Sequence, residues 1–155
     1  MRRQLFQMWL GHFLSALLMA SFSFTKGNLA IALFFNWLPN VDALFVKAGI
    51  KPAEFHDGPT HSFLFALAAG LPLISISLEK GMFSFLSVVA HLICDLPTDT
   101  GVPLLYPLKK RFSLRFWKET GFLSKKSIYG FYKQKSALLS EILLLILLIC
   151  RLPYF

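Results

Sequence analysis

The sequence predicts an all-α, polytopic membrane bundle of about four to five hydrophobic helices. Three observations predict it. Hydrophobic residues make up 55% of the chain and charged residues only 15%, below the share of a soluble domain, and mean hydropathy is +0.59. Long apolar runs recur along the chain, and the first, residues 5–24, would reach ~30 Å as a helix, enough to cross a bilayer. Lys and Arg collect between the runs rather than inside them. At 155 residues the chain reads as a single integral membrane domain, 1–155.

Taken in order, a short basic start precedes the 5–24 run. The start and the run together resemble a signal peptide, but the run exceeds a usual signal core, so a retained helix is expected. Lys26-Gly27-Asn28 reads as a turn. Residues 29–38 are apolar but short, and Pro39 should stop them. Residues 39–61 read as a mixed polar loop. The next run, 62–78, has Thr60 or Ser62 as its cap and Pro72 as a possible kink. Glu79-Lys80-Gly81 reads as a tight turn before the helix 82–96, which Pro97 ends. Residues 98–136 form a basic loop whose nine Lys and Arg, from Lys109 to Lys135, are threaded with aromatics such as Tyr106, Trp117 and Phe122. That mixture suits a membrane–water interface. A leucine-rich helix, 137–152, closes the chain.

Orientation follows from the cations. With five crossings, the N-terminus, the 39–61 loop and the 98–136 loop share one side, which holds thirteen of the sixteen Lys and Arg. That side is therefore expected to be cytoplasmic, in a bacterial inner membrane. The net charge of +8 then points to anionic lipid, and no nucleic acid partner is expected. Cys94 and Cys150 lie in apolar runs and read as small hydrophobes without a disulfide.

The polar islands carry the chemistry. Only four histidines occur, His12, His56, His61 and His91, all in or beside apolar sequence. His56 and His61 flank a Gly-Pro turn. His91 and Asp95 are four apart, hence on one helix face. The topology, derived from Lys and Arg alone, puts all of them and Asp42 towards the cytoplasmic face. Asp95 in the last turn of a helix is opposed by the helix dipole, and in apolar sequence an unpaired carboxylate costs several kcal/mol. A bound cation resolves both. Imidazole and carboxylate together suit a divalent metal such as zinc. The candidate ligands are His12, Asp42, His56, His61, His91 and Asp95. A packed histidine is the plainer account of His12 alone, and a helix cap that of Asp42. Asp57 and Asp99 read as loop carboxylates behind the ligands, with Asp42 or Asp57 as a possible general base. Glu141 is expected to pair with Lys133 or Lys135.

The ordered motifs LPNVD, HDGPTHS and HLICDLPTDTGVPLLYP resemble the YdjM-like family of bacterial membrane-bound metal-dependent hydrolases. The resemblance covers roughly residues 12–108. It implies that His12, Asp42, His56, His61, His91 and Asp95 are metal ligands. It also implies a remote similarity to the all-helical zinc-dependent phospholipase C and P1 nuclease superfamily, which cleaves phosphate esters. Two positions depart from the family pattern. Asn40 stands where an aspartate is usual, which removes an anionic ligand. Asp57 stands where arginine is frequent, which removes a phosphate contact.

The expected function is thus a membrane-bound metal-dependent hydrolase with one or two zinc ions, acting on a small-molecule or lipid-like phosphate ester among membrane lipids. The alternative is a non-catalytic membrane protein with a structural or metal-handling His/Asp site. A proton-coupled transporter would need polar residues across the membrane depth, whereas here they are expected to crowd one side.

Overall fold

The computed structural model describes residues 9–52, 55–120 and 125–154. The basic residues of the N-terminal start, the beginning of the 5–24 run and Phe122 lie outside the described residues. Among those described, the chain is all-helical with no strand. The helices are α1 (Trp9–Ala20), α2 (Lys26–Trp37), α3 (Val41–Lys47), α4 (Phe63–Ile74), α5 (Leu78–Asp95), α6 (Lys125–Tyr132) and α7 (Lys135–Arg151). A 3₁₀ turn, Leu38–Asn40, joins α2 to α3.

Several local expectations need correction. Lys26-Gly27-Asn28 is the first turn of α2, because Thr25 caps it by accepting from the Asn28 amide at 3.0 Å. Pro39 does not stop the chain, since it sits at the start of the 3₁₀ turn, where a missing N–H costs no bond. The helical path therefore runs on through Asp42 to Lys47. This stretch, Lys26–Lys47, is the one helix among the described residues long and apolar enough to cross a membrane. Glu79, Lys80 and Gly81 are not a turn but the start of α5, where Glu79 suits the positive end of the helix dipole. The basic loop holds α6 and two isolated bridges, Thr98 with Trp117 and Val102 with Phe112. The cap of α4 is Ser62, whose hydroxyl accepts from the Phe65 amide.

Helix α5 is central and packs against α1, α2 and α4, while α7 packs on α1 and α6. The approach of α4 to α5 depends on Gly81, where a Cβ would lie 2.2 Å from Ile74 Cγ1. A small apolar cluster of Cys94, Trp117, Phe131 and Ala137 ties the end of α5 to α6 and α7.

Large apolar side chains face outward while part of the interior is polar. Leu67 and Leu71 on α4, and Leu139, Leu143 and Ile146 on α7, are exposed. By contrast Ser84, Ser87, His91 and Asp95, at helical spacing on α5, are all buried. Opposite them Asn36 donates to Ser15 Oγ at 3.0 Å and to Ser87 O at 3.3 Å. At the other end of the bundle Asn28 and Ser23 both donate to Glu79 Oε1 at 2.9 Å. The expectation that polar groups crowd one end thus holds for the histidine and aspartate cluster but not for hydroxyls and amides. These continue as a seam along α1, α2 and α5.

Candidate metal centre

Four pieces of chain converge at one end of the bundle. His12 comes from the beginning of α1 and Asp42 from α3, just beyond the 3₁₀ turn. His56, Asp57 and His61 come from the turn before α4, and His91 and Asp95 from the last turns of α5. All seven side chains are buried. Every candidate ligand named from the sequence is in this cluster. Among the described residues two groups of three could hold a metal ion: His12, His91 and Asp95, and Asp42, His56 and His61.

The first group is built around Asp95. Its Oδ1 lies 3.1 Å from His12 Nε2, and its Oδ2 lies 3.1 Å from His91 Nε2 and 3.6 Å from His61 Nε2. His61 Nε2 and His91 Nε2 are 3.2 Å apart. The His12 and His91 rings stack at 4.0 Å between centroids, 14° from parallel. Yet neither oxygen of Asp95 has a hydrogen-bond partner among the described residues, and neither nitrogen of His12 has one. Buried polar atoms are rarely left so, because each costs free energy comparable to a lost hydrogen bond. A cation among them would satisfy these atoms together. Tetrahedral zinc with ligand bonds of about 2.0 Å sets its ligand atoms about 3.3 Å apart. The triangle of His61 Nε2, His91 Nε2 and Asp95 Oδ2, with sides 3.2, 3.1 and 3.6 Å, fits that edge length.

The second group is built around Asp42. Its Oδ1 is 2.6 Å from His56 Nδ1, and its Oδ2 is 3.3 Å from His61 Nδ1. Thr60 donates its hydroxyl to Asp42 Oδ2 at 2.8 Å and sits 3.1 Å from His61 Nδ1. One carboxylate thereby grips the Nδ1 edge of two imidazoles. Their Nε2 atoms both face Asp57 Oδ1, each at 3.5 Å. Asp57 itself takes a left-handed backbone, φ +54°, which carries its side chain over the histidines.

Charge completes the picture. Three carboxylates stand among four imidazoles, so the cluster carries three negative charges when the rings are neutral. A divalent cation would offset part of this charge. Burial pushes the Asp57 carboxyl up, although His56 and His61 oppose the shift. Burial works against a charge on His56 as well, but Asp57 and Asp42 outweigh it and raise the imidazole to about 9.

Sequence reasoning missed three contributors. Thr60 was read only as a cap, though its place beside His61 was the available signal. Arg111 reaches back from the basic loop to donate to Asp57 O at 3.1 Å. Glu119 has its carboxyl raised to about 7, by burial and by the negative charge of Asp57. Glu141 does not pair with Lys133 or Lys135, and no ion pair joins it to a lysine among the described residues. It is buried against α1 and accepts from the Gly11 amide at 3.0 Å. Asp99 accepts from the Glu119 amide at 2.9 Å.

The family model described as YdjM inner membrane protein matches residues 4–154. No curated protein and no solved structure matches the chain. The match spans nearly the whole sequence, including all three motifs and the cluster they build, and the chain belongs to the YdjM inner membrane protein family.

Proposed function

We propose that this chain is a polytopic inner-membrane hydrolase that uses one or two divalent ions, zinc foremost, to cleave a phosphate ester or lipid-like substrate at the cytoplasmic face. The observation that carries the reading is the triangle of His61 Nε2, His91 Nε2 and Asp95 Oδ2, whose sides match a tetrahedral zinc site, with both Asp95 oxygens buried and without a hydrogen bond of standard geometry among the described residues. The outward leucines of α4 and α7 around a polar interior support a bundle that faces lipid on several sides. The basic loop beside the cluster supports a cytoplasmic site.

In this reading His61, His91 and Asp95 hold one ion, with His12 on the second oxygen of Asp95. His56 Nε2 and Asp57 Oδ1 offer a second position. A divalent ion there supplies Lewis acidity towards an ester oxygen and lowers the pKa of water to ~7. Asp42 faces the Nδ1 edge of His56 and His61, the carboxylate–histidine arrangement common behind metals, so Nε2 is the atom each ring would offer to a metal. A metal there would displace the proton that Asp42 and Asp57 favour on His56. Asp42 is thus a positioning residue. Asp57, on the Nε2 side, is the group placed to take a proton from an attacking water when one ion is bound.

One observation favours the alternative, a structural or metal-handling site: every cluster residue is nearly inaccessible. Structural sites are closed, and catalytic ones keep an open position. Assaying the purified protein against a phosphodiester and a carboxylic ester, before and after chelation, separates the two. Chelator-sensitive hydrolysis of the phosphodiester is expected. A metal-loaded protein that turns over neither substrate would establish the alternative.

A further inference from the structure

The basic segment after α5 returns to the cluster through one side chain. Arg111 Nε donates to Thr100 O at 2.9 Å, Nη1 to Asp57 O at 3.1 Å and Nη2 to Gly101 O at 2.5 Å. The crossing that permits this depends on Gly101, which has φ +62° and where a Cβ would stand 2.1 Å from Phe112 O. Val102 and Phe112 exchange both backbone hydrogen bonds at 2.9 Å, which lays Arg111 across residues 100 and 101. Thr98 anchors the same segment to α5, donating to Asp95 O at 2.8 Å and accepting from the Gly101 amide at 3.0 Å.

Arg111 Nη2 is also 4.0 Å from Asp57 Oδ2, while Asp57 Oδ1 faces His56 and His61. One carboxylate therefore separates the guanidinium from the cluster. Among the described residues Arg111 is the only Lys or Arg in ion-pair range of any cluster carboxylate. Three carbonyls fix the plane of its guanidinium, and its side chain stays 37% exposed. Of the five N–H groups of an arginine, those bonds use three, leaving one on Nη1 and one on Nη2. A loop clasp alone would be served by neutral donors. A fixed, partly exposed fork beside a metal-competent cluster is suited to an oxyanion.

We propose that Arg111 is the anion-binding residue of this site and that its substrate carries a phosphate oxyanion rather than a neutral ester. The proposal rests on the hydrolase reading and names the substrate class for it. The two remaining N–H groups take phosphate oxygens, and the three carbonyl bonds keep the fork in register with Asp57. The same chemistry is met by a phospholipid headgroup and by a soluble phosphate.

The full chain, purified in detergent, would be titrated calorimetrically with inorganic phosphate and with dihexanoyl phosphatidate, after its zinc content is measured. Wild type is expected to bind phosphate, and Arg111→Met to bind it about 10- to 100-fold more weakly with zinc unchanged. Arg111→Lys, which keeps the charge but loses the fork, should fall between. A preference for phosphatidate identifies the headgroup as the source, and equal binding identifies soluble phosphate. Arg111→Met that binds phosphate as wild type does overturns the proposal. So does loss of zinc in both variants, which makes Arg111 a clasp, and so does zinc-loaded wild type that binds neither ligand. Wild type without zinc defeats the hydrolase reading itself, visibly before any phosphate is added, and the proposal with it.

Discussion

His61 Nε2 and His91 Nε2 face each other at 3.2 Å, with Asp95 Oδ2 within 3.6 Å of both. His61 stands just before α4 and His91 thirty residues later near the end of α5, so only the fold brings them together. Two ring nitrogens and a carboxylate oxygen gathered this closely repel unless a proton or a cation lies between them. The expectations below follow from treating that place as a cation site.

The two aspartates of the 42–57 region should behave differently. Asp42→Ala removes the carboxylate that holds two Nδ1 atoms, and zinc affinity should fall about 10- to 100-fold, as is typical when a group behind a metal ligand is lost. Asp57→Ala should leave one tightly bound zinc and abolish hydrolysis. Equilibrium dialysis with paired phosphodiester assays distinguishes them. Full activity in Asp57→Ala removes Asp57 as the base.

Glu119 provides a pH signature. Its carboxyl is raised to about 7 from 4.5, by burial and by Asp57. Between those values the folded chain holds a proton that the unfolded chain releases, so stability falls as pH rises from 4.5 to 7. Above 7 this contribution stays lost. Glu119→Gln should therefore raise the melting temperature at pH 8 and leave it nearly unchanged at pH 4.5. An equal effect at both pH values contradicts the assignment.

The cation distribution predicts topology. In a chain with Cys94 and Cys150 replaced by Ser, cysteines introduced at positions 3 and 125 should resist a membrane-impermeant thiol reagent in intact cells. A cysteine at position 80, at the other end of α5, should react. Labelling at 3 or 125 from outside would place the cluster on the periplasmic face.

The first helix should remain attached. His12 is buried, stacked 4.0 Å from His91 and 3.1 Å from Asp95 Oδ1, so cleavage near Ser23 would strip a wall from the cluster. Intact-mass measurement of the membrane-extracted protein should give a chain that includes His12. A start near Ser23 excludes it from any site.

Much of the cluster was legible because histidine and aspartate are costly in apolar sequence, so His91, Asp95 and the HDGPTHS turn stood out against their surroundings. The helix α3 did not, because Pro39 reads as a stop unless it falls within the opening positions of a new turn. Glu79-Lys80-Gly81 looks like a turn by composition, yet the close approach of Gly81 to Ile74 makes it a helix start. Arg111 and Glu119 were hidden among many cations and loop residues. What distinguishes them is the Gly101 crossing and the tie between Thr98 and α5, contacts over long sequence separations that no local pattern announces. The split between Asp42 and Asp57 was likewise invisible, since it turns on which edge of each imidazole they face.

The most direct measurement is metal stoichiometry of the purified full-length chain by plasma mass spectrometry, for wild type and for His61→Ala, His91→Ala and Asp95→Ala. Insertion depends on the apolar runs, so all four proteins should reach the membrane equally. Wild type should carry one or two zinc ions per chain, and each substitution should remove most of the first. Wild type that purifies without metal and takes up none when offered zinc, or His91→Ala and Asp95→Ala proteins that keep full stoichiometric metal, would contradict the account.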